Sequence, residues 1–117
     1  MKTNIQDYIV RTSEKEWEPL VEKGVPYKGI WVQSLLYNEE KGRSVTIRLK
    51  FEPGASYPYH NHPAGEEAFV LEGEAYFNDT KLSAGDYLYT PPGFKHAVKS
   101  EKGCVIFFMV PEEVEIL

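Results

Sequence analysis

Residues 54–73 read GASYPYHNHPAGEEAFVLEG, and residues 85–96 read GDYLYTPPGFKH. These two stretches contain all three histidines of the chain, His60, His62 and His96. His60 and His62 stand at i and i+2, so on a strand they leave the same face. Their imidazoles can then converge on one ion, with metal–nitrogen distances of about 2.0–2.1 Å for zinc. Glu66 follows the turn Pro63-Ala64-Gly65 and can add an oxygen. His96 follows a second turn, Pro91-Pro92-Gly93, and can close the set from another strand. Three nitrogens and one oxygen suit zinc, iron, manganese, nickel or copper and do not choose among them. Glu67 is the alternative oxygen donor.

The glycines and prolines around the four residues sharpen the pattern. Five residues separate Gly54 from His60, one separates His60 from His62, three lead to Glu66 and six more to Gly73. Five residues then separate Gly85 from Pro91, one separates Pro91 from Gly93, and two lead to His96. Pro92-Gly93 has the residue order of a type II turn, which would aim His96 back toward a barrel interior. In order and spacing the two stretches resemble both motifs of the cupin family. The wording is most similar to the cupin domain of ChrR-like zinc anti-sigma factors, through His60-Asn61-His62-Pro63-Ala64-Gly65-Glu66, Thr90-Pro91-Pro92-Gly93, His96-Ala97 and Gly103-Cys104. One departure is Ser100, where the second motif usually ends in asparagine. The resemblance covers about residues 28 to 110. It implies an all-β cupin barrel, a jelly-roll-like double-stranded β-helix, with one divalent transition metal ion (Zn, Fe, Mn or Ni) inside one end.

Periodicity agrees with that fold class. Val45, Ile47, Leu49 and Phe51 alternate with Thr46, Arg48 and Lys50, the repeat of a strand. Ile30 to Tyr37 reads as a second strand, joined to the first by a hairpin loop at 38–42. Turn signals recur about every 8–12 residues, as in sandwiches and barrels. The chain is expected to be a single domain, residues 1–117, with residues 1–27 as an arm or added strand. Ser13-x-x-Glu16 could cap a helical turn, which Pro19 would keep short.

Composition excludes several classes. Hydrophobic residues make up 42% and charged residues 26%, a globular balance. A net charge of −5 argues against a nucleic-acid surface. The longest apolar run, Val105 to Val110, is too short to span a bilayer. Met1 to Asp7 lacks the apolar core of a signal peptide, and one cysteine cannot form an internal disulfide. These features lead us to expect a cytoplasmic protein. Cys104 reads as a small buried hydrophobe, with a redox-sensitive thiol as the sharper alternative.

If Glu66 points inward, Ala68 and Val70 share its face, and Phe69 and Leu71 point out. That outer strip is expected either to be a homodimer surface or to lie beneath the N-terminal arm. Tyr57, Tyr59 and Phe94 stand closest in sequence to the ligands and are the candidates for a pocket beside the metal. Three functions follow: a mononuclear metalloenzyme of dioxygenase type acting on a small chelating organic substrate, a non-catalytic sensing module of the ChrR kind, or a small-ligand-binding cupin. No general acid or base is identified. The stretch ahead of the motifs lacks the zinc-binding cysteine and histidine motif of an anti-sigma domain, which weighs against the second.

Overall fold

The alternation at 43–51 becomes one strand of ten in the computed structural model, which describes residues 1–117. After 3₁₀ turns at Ile5–Tyr8 and Thr12–Glu14 come β1 (Glu18–Glu22), β2 (Val25–Asn38), β3 (Arg43–Phe51), β4 (Ser56–Asn61) and β5 (Glu66–Phe77). They are followed by β6 (Thr80–Ser83), β7 (Tyr87–Thr90), β8 (Lys95–Lys99), β9 (Cys104–Met109) and β10 (Glu115–Ile116). Every pairing is antiparallel. One sheet runs β1-β2-β3-β9-β5-β7 and the other β10-β4-β8-β5-β6. The fold is a cupin barrel.

β5 joins the two layers. Its first residues pair with β9 and β7, and Tyr76 and Phe77 pair with β8. The register shifts between Val70 and Glu72, and Gly73 follows at φ +74°. Only glycine fits there, because an added Cβ would lie 2.2 Å from the Gly103 carbonyl oxygen. The bend lets one strand serve both sheets and closes the core of Ile30, Phe51, Val70, Ile106 and Phe108. Ser100, the departure from the motif, is buried and keeps a structural job. Its hydroxyl donates to the Glu74 carbonyl at 2.6 Å and accepts from the Gly103 amide at 2.9 Å.

The arm adds β1 to the edge of β2. Its preceding segment lies on the outer face of β2 and β3. Buried Gln33 donates to the carbonyls of Thr12 (3.0 Å) and Lys15 (2.7 Å), and its own carbonyl accepts from Arg48 at 2.9 Å. Arg48 and Lys50 lie over the Trp17 ring. Ser13 does not cap a turn as its spacing suggested: the 3₁₀ turn begins at Thr12, and the flanking Arg11 makes no side-chain cap. Ala68 and Val70 point into the core, while Phe69 and Leu71 each remain 39% exposed. The arm therefore covers the β2–β3 region rather than that strip. No helix is long and apolar enough to cross a membrane.

We expect Gly73→Ala to cost about 3 kcal/mol or more, since it adds left-handed strain to a backbone collision. Gly85→Ala, at φ +95° with nothing within 4 Å, should cost less. Thermal unfolding of the two variants beside the parent checks the order.

Candidate metal centre

His60 lies on β4 and His96 opposite it on β8, as direct cross-strand partners. His62 follows the end of β4, and Glu66 opens β5. Two turns fix these last positions. The His62 carbonyl accepts from the amide of Gly65 (3.1 Å) and from that of Gly93 (3.0 Å). One oxygen thus ties the Pro63-Ala64-Gly65 turn to the Pro91-Pro92-Gly93 turn. Gly93 has φ +86°, and the Phe94 amide bonds the Pro91 carbonyl at 3.1 Å, which closes the second turn as its sequence predicts.

All four side chains are buried and point to one place. His62 Nε2 lies 2.9 Å from His60 Nε2, 3.1 Å from His96 Nε2 and 3.1 Å from Glu66 Oε2. The second Glu66 oxygen is 3.6 Å from His96 Nε2. The His60 Nδ1–H donates to the Pro58 carbonyl at 2.6 Å, so its Nε2 presents a lone pair to the cluster. One proton on His62 Nε2 could satisfy only one of its three neighbours. Glu66 Oε1 and His62 Nδ1 are buried with no hydrogen-bond partner. A shared cation resolves this arrangement, and the donors fit one. Two metal–ligand bonds of about 2.1 Å at right angles separate their donors by about 3.0 Å, against about 3.4 Å at the tetrahedral angle. The three short contacts match the right-angle value.

Burial also sets the protonation. Desolvation and the neighbouring imidazoles push His62 down to about 3 and His96 down to about 4. Desolvation lowers His60 as well. All three are therefore neutral near pH 7, the form that ligates metal. Desolvation lifts Glu66 to about 8, so the metal-free site holds its carboxyl protonated. Glu67 faces the other way and accepts from the Tyr87 hydroxyl at 2.7 Å.

A cavity of about 60 Å³ opens beside the cluster, with His60, His62 and Glu66 in its wall. At about 10–15 Å³ per water, it takes a few waters or a handful of non-hydrogen atoms. Tyr57 lines it, and its hydroxyl donates to Glu22. Tyr59 does not: it is 47% exposed on the opposite face of β4. Phe94, 52% exposed, lines a separate groove that His96 itself borders from the other side. Of the three residues nearest the cluster in sequence, Tyr57 and Phe94 thus line spaces on its two sides, and Tyr59 lines neither. The remaining walls come from segments that the motifs do not mark: Leu20 and Glu22 on β1, Arg43 at the start of β3, and Val110 and Val114 near the C-terminal end. Of these only Arg43 carried a signal, being in phase with inward-facing Ile47, Leu49 and Phe51. Cys104 is a buried core residue whose thiol is raised by desolvation.

The profile of the ChrR cupin-like domain matches residues 5–112. Dimethylsulfoniopropionate lyase DddQ of Ruegeria pomeroyi is 40% identical over 52 residues, 40% of this chain and 26% of that protein. The match thus spans about a quarter of the length of this curated relative. Among solved structures, the polyketide cyclase RemF from Streptomyces resistomycificus superposes with a TM-score of 0.74 at 20% identity, covering 93% of this chain and 84% of that one. An acetylacetone dioxygenase from Acinetobacter johnsonii gives 0.77 at 18%, covering 93% and 76%. At these identities the two likenesses concern the fold.

The shifts fix a pH signature for the metal-free protein. The folded state keeps the Glu66 proton that an unfolded chain loses above its ordinary value of 4.5, so this group's contribution falls between there and about pH 8. The imidazoles act oppositely, because below the ordinary 6.5 an unfolded chain takes up protons that the folded site refuses. Three imidazoles outweigh one carboxyl below that point, and above it Glu66 alone contributes. We expect urea-unfolding stability of chelator-treated protein to peak near pH 6.5 and decline toward about pH 8, and the decline to vanish in Glu66→Gln.

Proposed function

The chain belongs to the ChrR cupin-like domain family, and from that premise we propose that it is a small mononuclear metalloenzyme acting on a small chelating organic substrate. One divalent transition metal ion (Zn, Fe, Mn or Ni) is held by His60, His62, Glu66 and His96. The observation that carries this reading is the convergence of three imidazole nitrogens and one carboxylate oxygen beside a small, largely apolar cavity. Bound there, the ion would supply Lewis acidity or, as Fe(II), reactivity toward dioxygen. A donor set that includes a carboxylate and no cysteine is less typical of closed structural zinc sites, and so supports positions left for a substrate.

The chain's own residues then have plain tasks. His60 is oriented by Pro58, and His62 by the two amides on its carbonyl. Glu66, protonated without metal, would hold the ion as a carboxylate. Tyr57, Val110 and Val114 exclude bulk water from the cavity. A dioxygenase is the leading reaction type. A lyase is the second reading, supported by the 40% identical stretch shared with DddQ. A sensing module of the ChrR kind is the non-catalytic alternative, and it would couple metal loss to partner release. We place the protein in the cytoplasm.

Elemental analysis of protein purified without added metal should find one equivalent per chain, and His60→Ala or His96→Ala should lose it. Glu66→Gln should bind more weakly and still fold. A triple histidine variant that kept a full equivalent would refute the ligand set. Oxygen uptake by the Fe(II) form with acetylacetone and with 2,4-dioxopentanoate then separates the dioxygenase from the lyase and the sensor.

We further propose a homodimer through the outer face that carries Phe69, Leu71, Tyr87 and Met109, all exposed. Sedimentation at micromolar concentration should show a species near twice 13.4 kDa, and a 13.4 kDa species alone would overturn this.

A further inference from the structure

Arg43 is the one cationic side chain in the wall of the cavity. It opens β3 on the inward face, in phase with Ile47, Leu49 and Phe51. The register places it at the metal's end of the barrel. Glu67 pairs with Met109 and Met109 with Thr46, so Glu66, Val110 and Val45 form the next row, and the Val110 amide bonds the Val45 carbonyl at 2.7 Å. Arg43 lies one inward position beyond that row. Two residues along a strand and two strands across put its Cα about 12 Å from that of Glu66, measured along the sheet. A long side chain and a small ligand together can bridge such a gap.

Its donors are mostly uncommitted. One N–H of the guanidinium donates to the Val110 carbonyl. Arg43 makes no ion pair within 4 Å; the nearest carboxylate its charge acts on is exposed Glu112, which pairs with Lys41. The other carboxylate in the cavity wall, Glu22, accepts from the Tyr57 hydroxyl instead. Nor is Arg43 needed alone to anchor the segment after β9. Lys41 also holds it, bonding the Pro111 carbonyl at 2.7 Å and pairing with Glu112. A half-buried guanidinium with free donors, facing a small apolar cavity, is built to accept a carboxylate.

We infer that the site selects a small chelating compound carrying a carboxylate, and that Arg43 is the residue that reads it. This rests on the metal reading above. The ligand's carbonyl oxygens face the ion, and its free carboxylate takes a forked pair of hydrogen bonds from Arg43. A neutral diketone would leave that cation with only the exposed Glu112 carboxylate at a distance.

Acetylacetone and 2,4-dioxopentanoate form a matched pair of probes, because the second replaces one methyl of the first by a carboxylate. Each is titrated into Co(II)-loaded protein and followed in the cobalt absorption bands, with metal content measured on every sample. The parent should bind the acid at least about tenfold more tightly than the diketone. Arg43→Met should abolish that preference while keeping acetylacetone affinity within about twofold, and Arg43→Lys should restore part of it. Equal affinities in the parent would overturn the inference, as would an Arg43→Met change that weakens both probes alike. Protein that takes up no cobalt would overturn the metal reading and this inference with it, and elemental analysis shows that case before any titration.

Discussion

Three donor atoms crowd within about 3 Å of His62 Nε2 in a buried site, and the rest of the structure is arranged around that crowding. The few protons available to these groups cannot satisfy every contact without a cation, and each group loses its hydration on burial. The barrel bears that cost because the positions are over-determined. His60 and His96 are set by the ladder between β4 and β8. His62 is set by two amides on its carbonyl, and Glu66 by the turn that one of them closes. The donors of such a site are positioned to fit a metal ion.

The second constraint is the bend in β5. A strand that begins in one sheet and ends in the other puts Glu66 on the inner face at one end and Phe77 against His96 from the other layer, with ring centroids 5.3 Å apart. Gly73 makes that path sterically open, since any side chain there would meet the Gly103 carbonyl. Metal site and core therefore depend on the same strand. The outer face of that strand is left with aromatic and aliphatic side chains in solvent, which gives the dimer proposal its basis.

The convergence of His60, His62, Glu66 and His96 was legible in the sequence because spacing alone constrains it. An i, i+2 pair on a strand shares a face, and a Pro-Gly turn reverses the chain at a known point. The inward and outward faces of β3 and β5 were legible for the same reason. The pocket was read less well. Tyr59 adjoins His60, and adjacency on a strand places it on the opposite face. Phe94 sits in the exposed turn before β8. Other walls of the cavity, among them Leu20, Glu22, Val110 and Val114, arrive from distant parts of the chain, and no local pattern announces that β1 and the segment before β10 fold over this end of the barrel. Arg43 could have been found by extending the inward alternation of β3 by one step past Val45. The helical turn expected at Ser13 began one residue early, because the chain there is positioned by Gln33 bonding its carbonyls and not by a cap.

The central claim is that one ion sits among these four side chains and nowhere else. A crystal structure of the metal-loaded protein, with the ion located by anomalous scattering, tests it most directly. A single peak within about 2.0–2.2 Å of the Nε2 atoms of His60, His62 and His96 and of a Glu66 oxygen is the expected result. A peak bound by Glu67 in place of Glu66, a peak away from the three imidazoles, or no peak at full metal loading would contradict it.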